Sequence, residues 1–210
     1  MARITTVHQS NFPYHVAGRC INQDWFKIPM IDVWEIFSEQ LHFIRHAYNI
    51  RILAFVLMNN HYHLLVRTPD ANLAEGMGWF NRECSRTLTR HGNRINQTYG
   101  ARYFRCLIAT NHYYLNAYKY IYRNPVTAGV CDSVESYPFS SLNGLLGGSK
   151  LTIPIEEDLT LFDDVEGTLN WLNQAPSLEN WEAVRKALRR REFRLGKVNR
   201  KPHPLEVDTL

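Results

Sequence analysis

The chain has 210 residues, of which 45% are hydrophobic and 12% aromatic; this is enough apolar material to bury a domain core and disfavours a largely disordered chain. No run of residues approaches the roughly 18 consecutive apolar positions of a membrane-spanning helix, which excludes a protein built on such helices. The formal charge of +4 is unevenly distributed, because residues 1–150 carry 15 Lys and Arg against 9 Asp and Glu, whereas residues 151–210 carry 9 against 11.

The first part of the chain predicts a strand, a helix and a β-hairpin. Residues 14–20 alternate in hydrophobicity after a Phe-Pro pair, and apolar residues recur at helical spacing over residues 31–47. Residues 51–58 form a continuous apolar run of strand length, and two consecutive asparagines supply a turn before a further strand over residues 61–67. These two strands are therefore predicted to pair.

The next part predicts a helix, a fourth strand and a further helix. Residues 72–90 have apolar positions at helical spacing, residues 102–109 have the pattern of a strand, and the helix over residues 111–123 is ended by the Asn124-Pro125 pair. The order β-α-β-β-α-β is that of a ferredoxin-like sandwich, with one helix added. We therefore predict an α+β fold with an antiparallel sheet and helices on one face.

Three parts are expected along the chain: a main domain over residues 1–140, a linker over residues 141–150 and a C-terminal extension over residues 151–210. The extension begins with an acidic stretch and contains a predicted helix over residues 178–194. Nine cations lie between Arg185 and Lys201, against a single acid. This basic end is either a solvated tail or a second contact to a phosphate backbone.

Arginine and cysteine usage indicate the partner and the compartment. Twelve of the fifteen cations in the first 150 residues are arginines, whose flat guanidinium group binds phosphate through two parallel hydrogen bonds and stacks on bases. This bias favours a nucleic-acid partner, although basic soluble proteins are common. The four cysteines are far apart, and the opening residues contain no apolar signal segment, so we expect reduced thiols in a cytoplasmic protein.

Four residues offer metal or nucleophile chemistry at two places in the chain. His61 and His63 lie two apart on a predicted strand, so both imidazoles point to one face and can bind one metal ion. Tyr120 and Asn124 share a helix face, and an amide oxygen is an acceptable ligand for Mg²⁺ or Mn²⁺. The alternative is that the histidines are structural, that the tyrosine is a packing aromatic and that the asparagine only ends the helix.

Several motifs carry a family resemblance. They are YHV followed by Arg19, the segment VLMNNHYHLLVRTP, the triplet RYF and the segment YIYRNPVTAGV, and together they cover most of residues 10–135. In this order they resemble the single-tyrosine HUH transposases, and among them the REP-associated tyrosine transposases. Several motifs in the right order are more specific than any one of them.

The resemblance implies an activity and a set of site residues. His61, His63 and Asn124 would bind Mg²⁺ or Mn²⁺, and Tyr120 would be the nucleophile. The implied reaction cleaves single-stranded DNA and leaves a 5′-phosphotyrosine and a free 3′-hydroxyl, so that another 3′-hydroxyl can rejoin the strands. The implied partner is a REP-type DNA hairpin with a single-stranded flank. Tyr62 is then expected to pack on the other side of the sheet without a catalytic role.

Arginines recur every four residues along the second predicted helix. Arg82, Arg86 and Arg90 form a stripe, with Arg94 just beyond it, which is either a solvated helix face or a track for the DNA backbone. The full set of candidate DNA-binding residues is Arg19, Arg82, Arg86, Arg90, Arg102 and Arg105. Trp79 and Tyr103 are either stacking platforms for unpaired bases or core residues.

Two other functions stay open at this point. A metal-dependent phosphodiesterase would use activated water, and a non-catalytic DNA-binding protein would keep the same fold. His15 and His112 are candidates for a general base, with ordinary hydrogen bonding as the alternative. Related insertion-sequence enzymes act as dimers that exchange tyrosine helices, whereas the REP-associated group is regarded as monomeric, so we expect a monomer, with a dimer as the alternative.

Overall fold

A computed structural model describes residues 9–93 and 97–210 of the chain. Its sheet has four antiparallel strands in the order β2-β3-β1-β4, which is the order of the predicted ferredoxin-like sandwich and confirms it. The strands are β1 (Tyr14–Arg19), β2 (Arg51–Met58), β3 (His61–Arg67) and β4 (Phe104–Leu107). The predicted hairpin of β2 and β3 is present, whereas β4 is shorter at both ends than the predicted strand over residues 102–109.

Two long helices, α1 (Met30–Tyr48) and α2 (Leu73–His91), pack on one face of the sheet. Their apolar positions recur every three to four residues, which places a continuous stripe of side chains against the strands. Phe37 of α1 is fully buried, and its ring makes edge contacts with Tyr62 of β3 and Phe80 of α2. The side chains of α1 and α2 and those on this face of the strands form the first core, which packs against β1 and β3.

Gly18 of β1 lies directly against the ring of Tyr62, and this contact gives a stability prediction. A Cβ at position 18 would lie 2.5 Å from Tyr62 Cε1, and that ring is fully buried and bonded to Asn81 through its hydroxyl. We therefore expect Gly18→Ala to lower the free energy of unfolding by about 1–3 kcal/mol, because the added methyl group would overpack the core around Tyr62.

The measurement is urea denaturation, with Gly78→Ala as the matched control. Gly78 lies in α2 and a Cβ there would meet nothing within 4 Å. Alanine is the better helix former, so the control should be neutral or more stable by up to about 1 kcal/mol. Equal stability of the Gly18→Ala protein and the wild type would contradict the close packing.

The opposite face of the sheet is covered by α3 (Asn111–Thr127) and by residues further along the chain. The prediction of helices on one face therefore holds for α1 and α2, while the added helix lies on the other. Tyr118 and Tyr122 of α3 are buried there, with their hydroxyls bonded to Asp158 and Ser141. Both side chains therefore belong to the core on this face of the sheet.

Helix α3 continues through Pro125, so the predicted end of this helix was wrong. The next turn is closed by bonds from the amide of Ala128 to Asn124 O (3.0 Å) and from that of Val130 to Pro125 O (3.0 Å). Proline removes one helical hydrogen bond. Here Pro125 is buried and Val126 packs against the second core, and this packing holds the last turn together.

Four further helices follow in the C-terminal part: α4 (Ser141–Leu145), α5 (Leu159–Asp163), α6 (Val165–Asn173) and α7 (Leu178–Ala187). Helix α4 lies within the expected linker, and Ser141 and Leu142 at its start are buried. Side chains of all four helices join the core that covers α3. The division into a main domain, a linker and an extension stays a prediction.

Helix α7 ends at Ala187 and not at residue 194, because the chain after it pairs with the edge of the sheet. The amide of Leu107 in β4 donates to Arg191 O (2.8 Å), and the amide of Phe193 donates to Leu107 O (2.9 Å). An edge strand exposes unpaired backbone groups, and this segment satisfies them. Extended backbone over these residues is incompatible with a helix, which corrects the predicted end.

In the part of the chain that the structure covers, none of the helices combines the length and the apolar character needed to cross a bilayer. No disulfide bond joins the cysteines of the described residues.

Candidate active site

The two histidines of β3 lie on the sheet face that carries α3. Strand alternation places His61 and His63 on this face, whereas Tyr62 between them is fully buried in the first core, as expected. On the neighbouring strand β1, Arg19 is the direct partner of His61 and Ala17 is the partner of His63. The sheet therefore presents two imidazoles and one guanidinium group side by side.

Helix α3 brings Tyr120 over these histidines. The helix begins at a capped end, where the hydroxyl of Thr110 accepts from the amide of Tyr113 (3.1 Å). Nearly three turns later, the ring of Tyr120 meets the ring of His63 edge-on, with centroids 5.7 Å apart and an interplanar angle of 89°. The phenol from the late helix and the imidazoles from the early strand therefore meet within one chain.

Asn124 lies one turn beyond Tyr120 and completes the predicted set. Its side chain lies close enough to the imidazole of His61 and the phenol of Tyr120 to influence the pKa of both groups. Its amide nitrogen also donates to the backbone carbonyl of Tyr120 (3.2 Å). All four residues predicted for metal binding and nucleophilic attack are thus adjacent in space.

A third histidine holds His63 in place. His15 of β1 is buried, and its Nε2 lies 2.9 Å from His63 Nδ1, with the two rings stacked. His63 Nε2 is buried and has no hydrogen-bond partner among the described residues. A ligating histidine normally uses its other ring nitrogen in such a bond, which fixes the orientation of the ring. His15 therefore has a hydrogen-bonding role, and His112 has one elsewhere, at the carbonyl of Leu205.

The donor set at this point suits a divalent cation. Two imidazoles and an amide lie close together, and His63 Nε2, which has no hydrogen-bond partner in the described part of the chain, is free to bind a metal. Across residues 9–93 and 97–210, no group of three or more His, Cys, Asp and Glu side chains is arranged to hold a metal. The candidate site consequently depends on the amide of Asn124, and its hard oxygen favours Mg²⁺ or Mn²⁺.

Burial keeps the imidazoles neutral at physiological pH. It lowers the pKa of His61 to about 4, with a further contribution from the charge of Arg19, and lowers the pKa of His63 well below its ordinary value. A neutral imidazole retains the lone pair that a metal requires. Burial raises the pKa of Tyr120, and the hydrogen bond from Asn124 opposes this effect.

A cleft of about 400 Å³ opens at these residues, and one of its walls comes from the C-terminal part of the chain. Arg185 of α7 and Arg189 just beyond it line the cleft together with Arg19. Trp181 of α7 stacks on the Tyr120 ring at a centroid distance of 4.6 Å. The sequence showed a basic end to this part of the chain, but no pattern indicated which of its residues face the tyrosine.

The other predicted DNA-binding arginines lie in different places. Arg105 of β4 alternates with Phe104, so it points to the sheet face opposite the histidines. Arg82 and Arg86 of α2 both pair with Glu83, at 3.1 Å and 2.9 Å. Arg90 is exposed near the end of the same helix.

Two further arginines and the two proposed stacking platforms differ in their exposure. Arg102 is exposed and lies 6.0 Å from the ring of Tyr103, whereas Arg94 lies outside the described residues. Tyr103 is buried, and Trp79 is half-buried, with its ring stacked on that of Phe43. A DNA-binding role for the arginines of α2 and for Arg102 and Arg105 stays a prediction.

The chain matches a family model and is similar to solved structures. Residues 9–124 match the family model described as "Transposase IS200 like". A solved REP-associated tyrosine transposase, bound to a REP hairpin, is 17% identical with a TM-score of 0.60, and the match covers 85% of this chain and 93% of that one. A putative transposase from Deinococcus radiodurans R1 is 14% identical with a TM-score of 0.40, over 58% of this chain and 95% of that one.

No curated protein matches the chain. The family match spans more than half of its residues and includes both histidines, the tyrosine and the asparagine of the cleft. The chain therefore belongs to the IS200-like transposase family.

Proposed function

We propose that the protein is a metal-dependent endonuclease and strand transferase that acts on single-stranded DNA next to a REP-type hairpin. The observation that carries this proposal is the meeting of Tyr120, His61 and His63 at one arginine-lined cleft, with Asn124 next to them. The similarly folded REP-associated transposase is bound to a REP hairpin, which supports hairpin DNA as the partner.

The proposed reaction is a transesterification at one backbone phosphate. The phenolic oxygen of Tyr120 forms a bond to phosphorus, the bond from phosphorus to the 3′ oxygen breaks, and that oxygen takes up a proton. The ester bond is conserved in a 5′-phosphotyrosine, so a 3′-hydroxyl can reverse the step and join strands. Burial raises the pKa of Tyr120, and the charges of Arg185, Arg189 and Arg19 oppose this rise, so they ease the loss of its proton during attack.

The metal would be held by His61, His63 and Asn124. A bound divalent cation supplies charge stabilisation at the nonbridging oxygens of the phosphate. The chain's own contribution is to hold two neutral imidazoles and an amide close to the phenol, with His63 kept in orientation by His15.

The test is incubation of the protein with labelled, hairpin-forming single strands from the host genome in the presence of Mg²⁺ or Mn²⁺. A labelled band that migrates with the protein on a denaturing gel supports the proposal. Cleavage without such an adduct indicates a phosphodiesterase that uses activated water. Binding without cleavage indicates a non-catalytic DNA-binding protein.

Because the tyrosine and the histidines of one chain meet, we propose that the protein acts as a monomer. An equimolar mixture of Tyr120→Phe and His61→Ala proteins is then expected to stay inactive, since neither chain contains a complete site. The measurement is adduct formation in the mixture, compared with each variant alone. Recovered activity would show that chains exchange their tyrosine helices, which contradicts a monomeric site.

A further inference from the structure

The wall of the cleft formed by α7 belongs to a part of the chain that the family match does not reach. That match ends at residue 124, whereas α7 begins at Leu178. Its Trp181 nevertheless stacks on Tyr120, and Leu188 lines the same cleft. The C-terminal part of this chain therefore contributes directly to the surroundings of the nucleophile.

Two cations on this wall have donors available for an anion. Arg185 uses Nε and Nη2 to bond Glu182, at 3.0 and 2.7 Å, and no described residue bonds its Nη1. This ion pair is partly exposed and one turn apart on a helix, a type that exchanges readily for another partner. Arg189 is exposed and forms no ion pair within the described ranges.

The charge of the cleft is positive throughout. Arg19, Arg185 and Arg189 all line it, and no Asp or Glu is found among the described lining residues. Of these three guanidinium groups, Arg185 shares its charge with Glu182, yet the cluster as a whole attracts an anion, and its planar donors match the oxygens of a phosphodiester.

An exposed aromatic ring completes the cleft. Phe104 of β4 is 58% exposed, is the strand partner of Ala17 and lines the cleft with it. An aromatic ring next to cations is the combination that binds single-stranded nucleic acid, because the base stacks while the phosphate is neutralised.

We infer that α7 and the residues after it complete a nucleotide-binding subsite for single-stranded DNA. Arg185, Arg189 and Arg19 hold a backbone phosphate adjacent to the one that is cleaved, and Phe104 stacks on its unpaired base. The inference rests on the proposed function in that the cleaved phosphate lies at Tyr120.

The test compares two double variants in a Tyr120→Phe background, where the DNA stays intact. One is Arg185→Gln with Arg189→Gln. The matched control is Arg190→Gln with Arg194→Gln, which removes the same charge from the same segment at a different pocket. Binding of a short fluorescent single strand is followed by anisotropy over a range of salt concentrations.

We expect the first pair to weaken binding about tenfold or more and to reduce the salt dependence by about 0.7 in logarithmic slope for each lost phosphate contact. The control pair should retain wild-type affinity and slope. Phe104→Leu should weaken binding at every salt concentration without changing the slope. Phe104→Tyr keeps an aromatic ring and should bind as tightly as the wild type. Arg189→Gln alone changes an exposed residue and should show half of the slope change. This single variant replaces the double variant in the test if the double variant does not fold.

Equal losses in the two double variants, or no loss in the first, would overturn the inference. Adduct formation by the wild type reports separately on the proposed function. An adduct together with unchanged binding by the first pair rejects the subsite alone. A specific loss of binding by that pair, with no adduct from the wild type, rejects the transesterification and retains the subsite.

Discussion

Replacement of Tyr120 with phenylalanine is expected to abolish the covalent protein–DNA adduct while hairpin binding is retained. The change removes only the hydroxyl oxygen that would form the bond to phosphorus. The stacking on Trp181 and the edge contact with His63 involve the ring and remain, so the fold is preserved. Loss of a covalent nucleophile lowers the rate by on the order of 10⁴-fold or more.

Tyr122→Phe is the matched control for this experiment. Its hydroxyl lies 3.0 Å from Ser141 Oγ, inside the core and away from the cleft. Ser141 Oγ also accepts a hydrogen bond from the amide of Phe55 (2.9 Å), so it keeps a partner in the variant. The control should therefore fold and form adduct. Both variants are measured by adduct yield on denaturing gels and by DNA binding. Undiminished cleavage by the Tyr120→Phe protein would reject this tyrosine as the nucleophile.

Removal of one imidazole is expected to eliminate metal-dependent cleavage. In the His61→Ala protein the candidate site retains a single histidine and one amide, and metal affinity should fall by about 100-fold or more, since even loss of supporting residues around a metal costs 10- to 100-fold. The fold should survive, because His61 is only partly buried and its imidazole bonds the neighbouring Asn60.

His63→Ala should lower the metal affinity to the same extent and should also lower the free energy of unfolding. Buried His15 would lose its bonded partner, which costs about 1–3 kcal/mol. Mn²⁺ binding is measured by electron paramagnetic resonance, alongside cleavage as a function of Mn²⁺ concentration. His112→Ala is the control, since that ring bonds the carbonyl of Leu205. Unchanged Mn²⁺ affinity in both site variants would exclude these histidines as ligands.

The order of elements and the direction of the key side chains follow from local periodicity. Alternation along β3 puts His61 and His63 on one face and Tyr62 on the other, whatever the strand pairs with. A separation of four residues puts Tyr120 and Asn124 on one side of a helix. These local relations, together with the resemblance to the HUH transposases, were sufficient to predict which side chains lie close together in the structure.

Local signals failed where a distant part of the chain determines the conformation. Pro125 predicted a helix end, but its burial against the second core keeps the last turn of α3 helical. The helical pattern of α7 extends further than the helix, because the segment after it completes the hydrogen bonds of β4.

The sequence by itself determined the ferredoxin-like order of elements, the face of the paired imidazoles and the helix face that Tyr120 shares with Asn124, since each depends on the local periodicity of a strand or a helix. Only the tertiary structure decided that His15 orients His63 and that Trp181, Arg185 and Arg189 form a wall of the cleft. Those contacts join residues far apart in the chain, and the packing of the second core brings them together without any pattern in the local sequence.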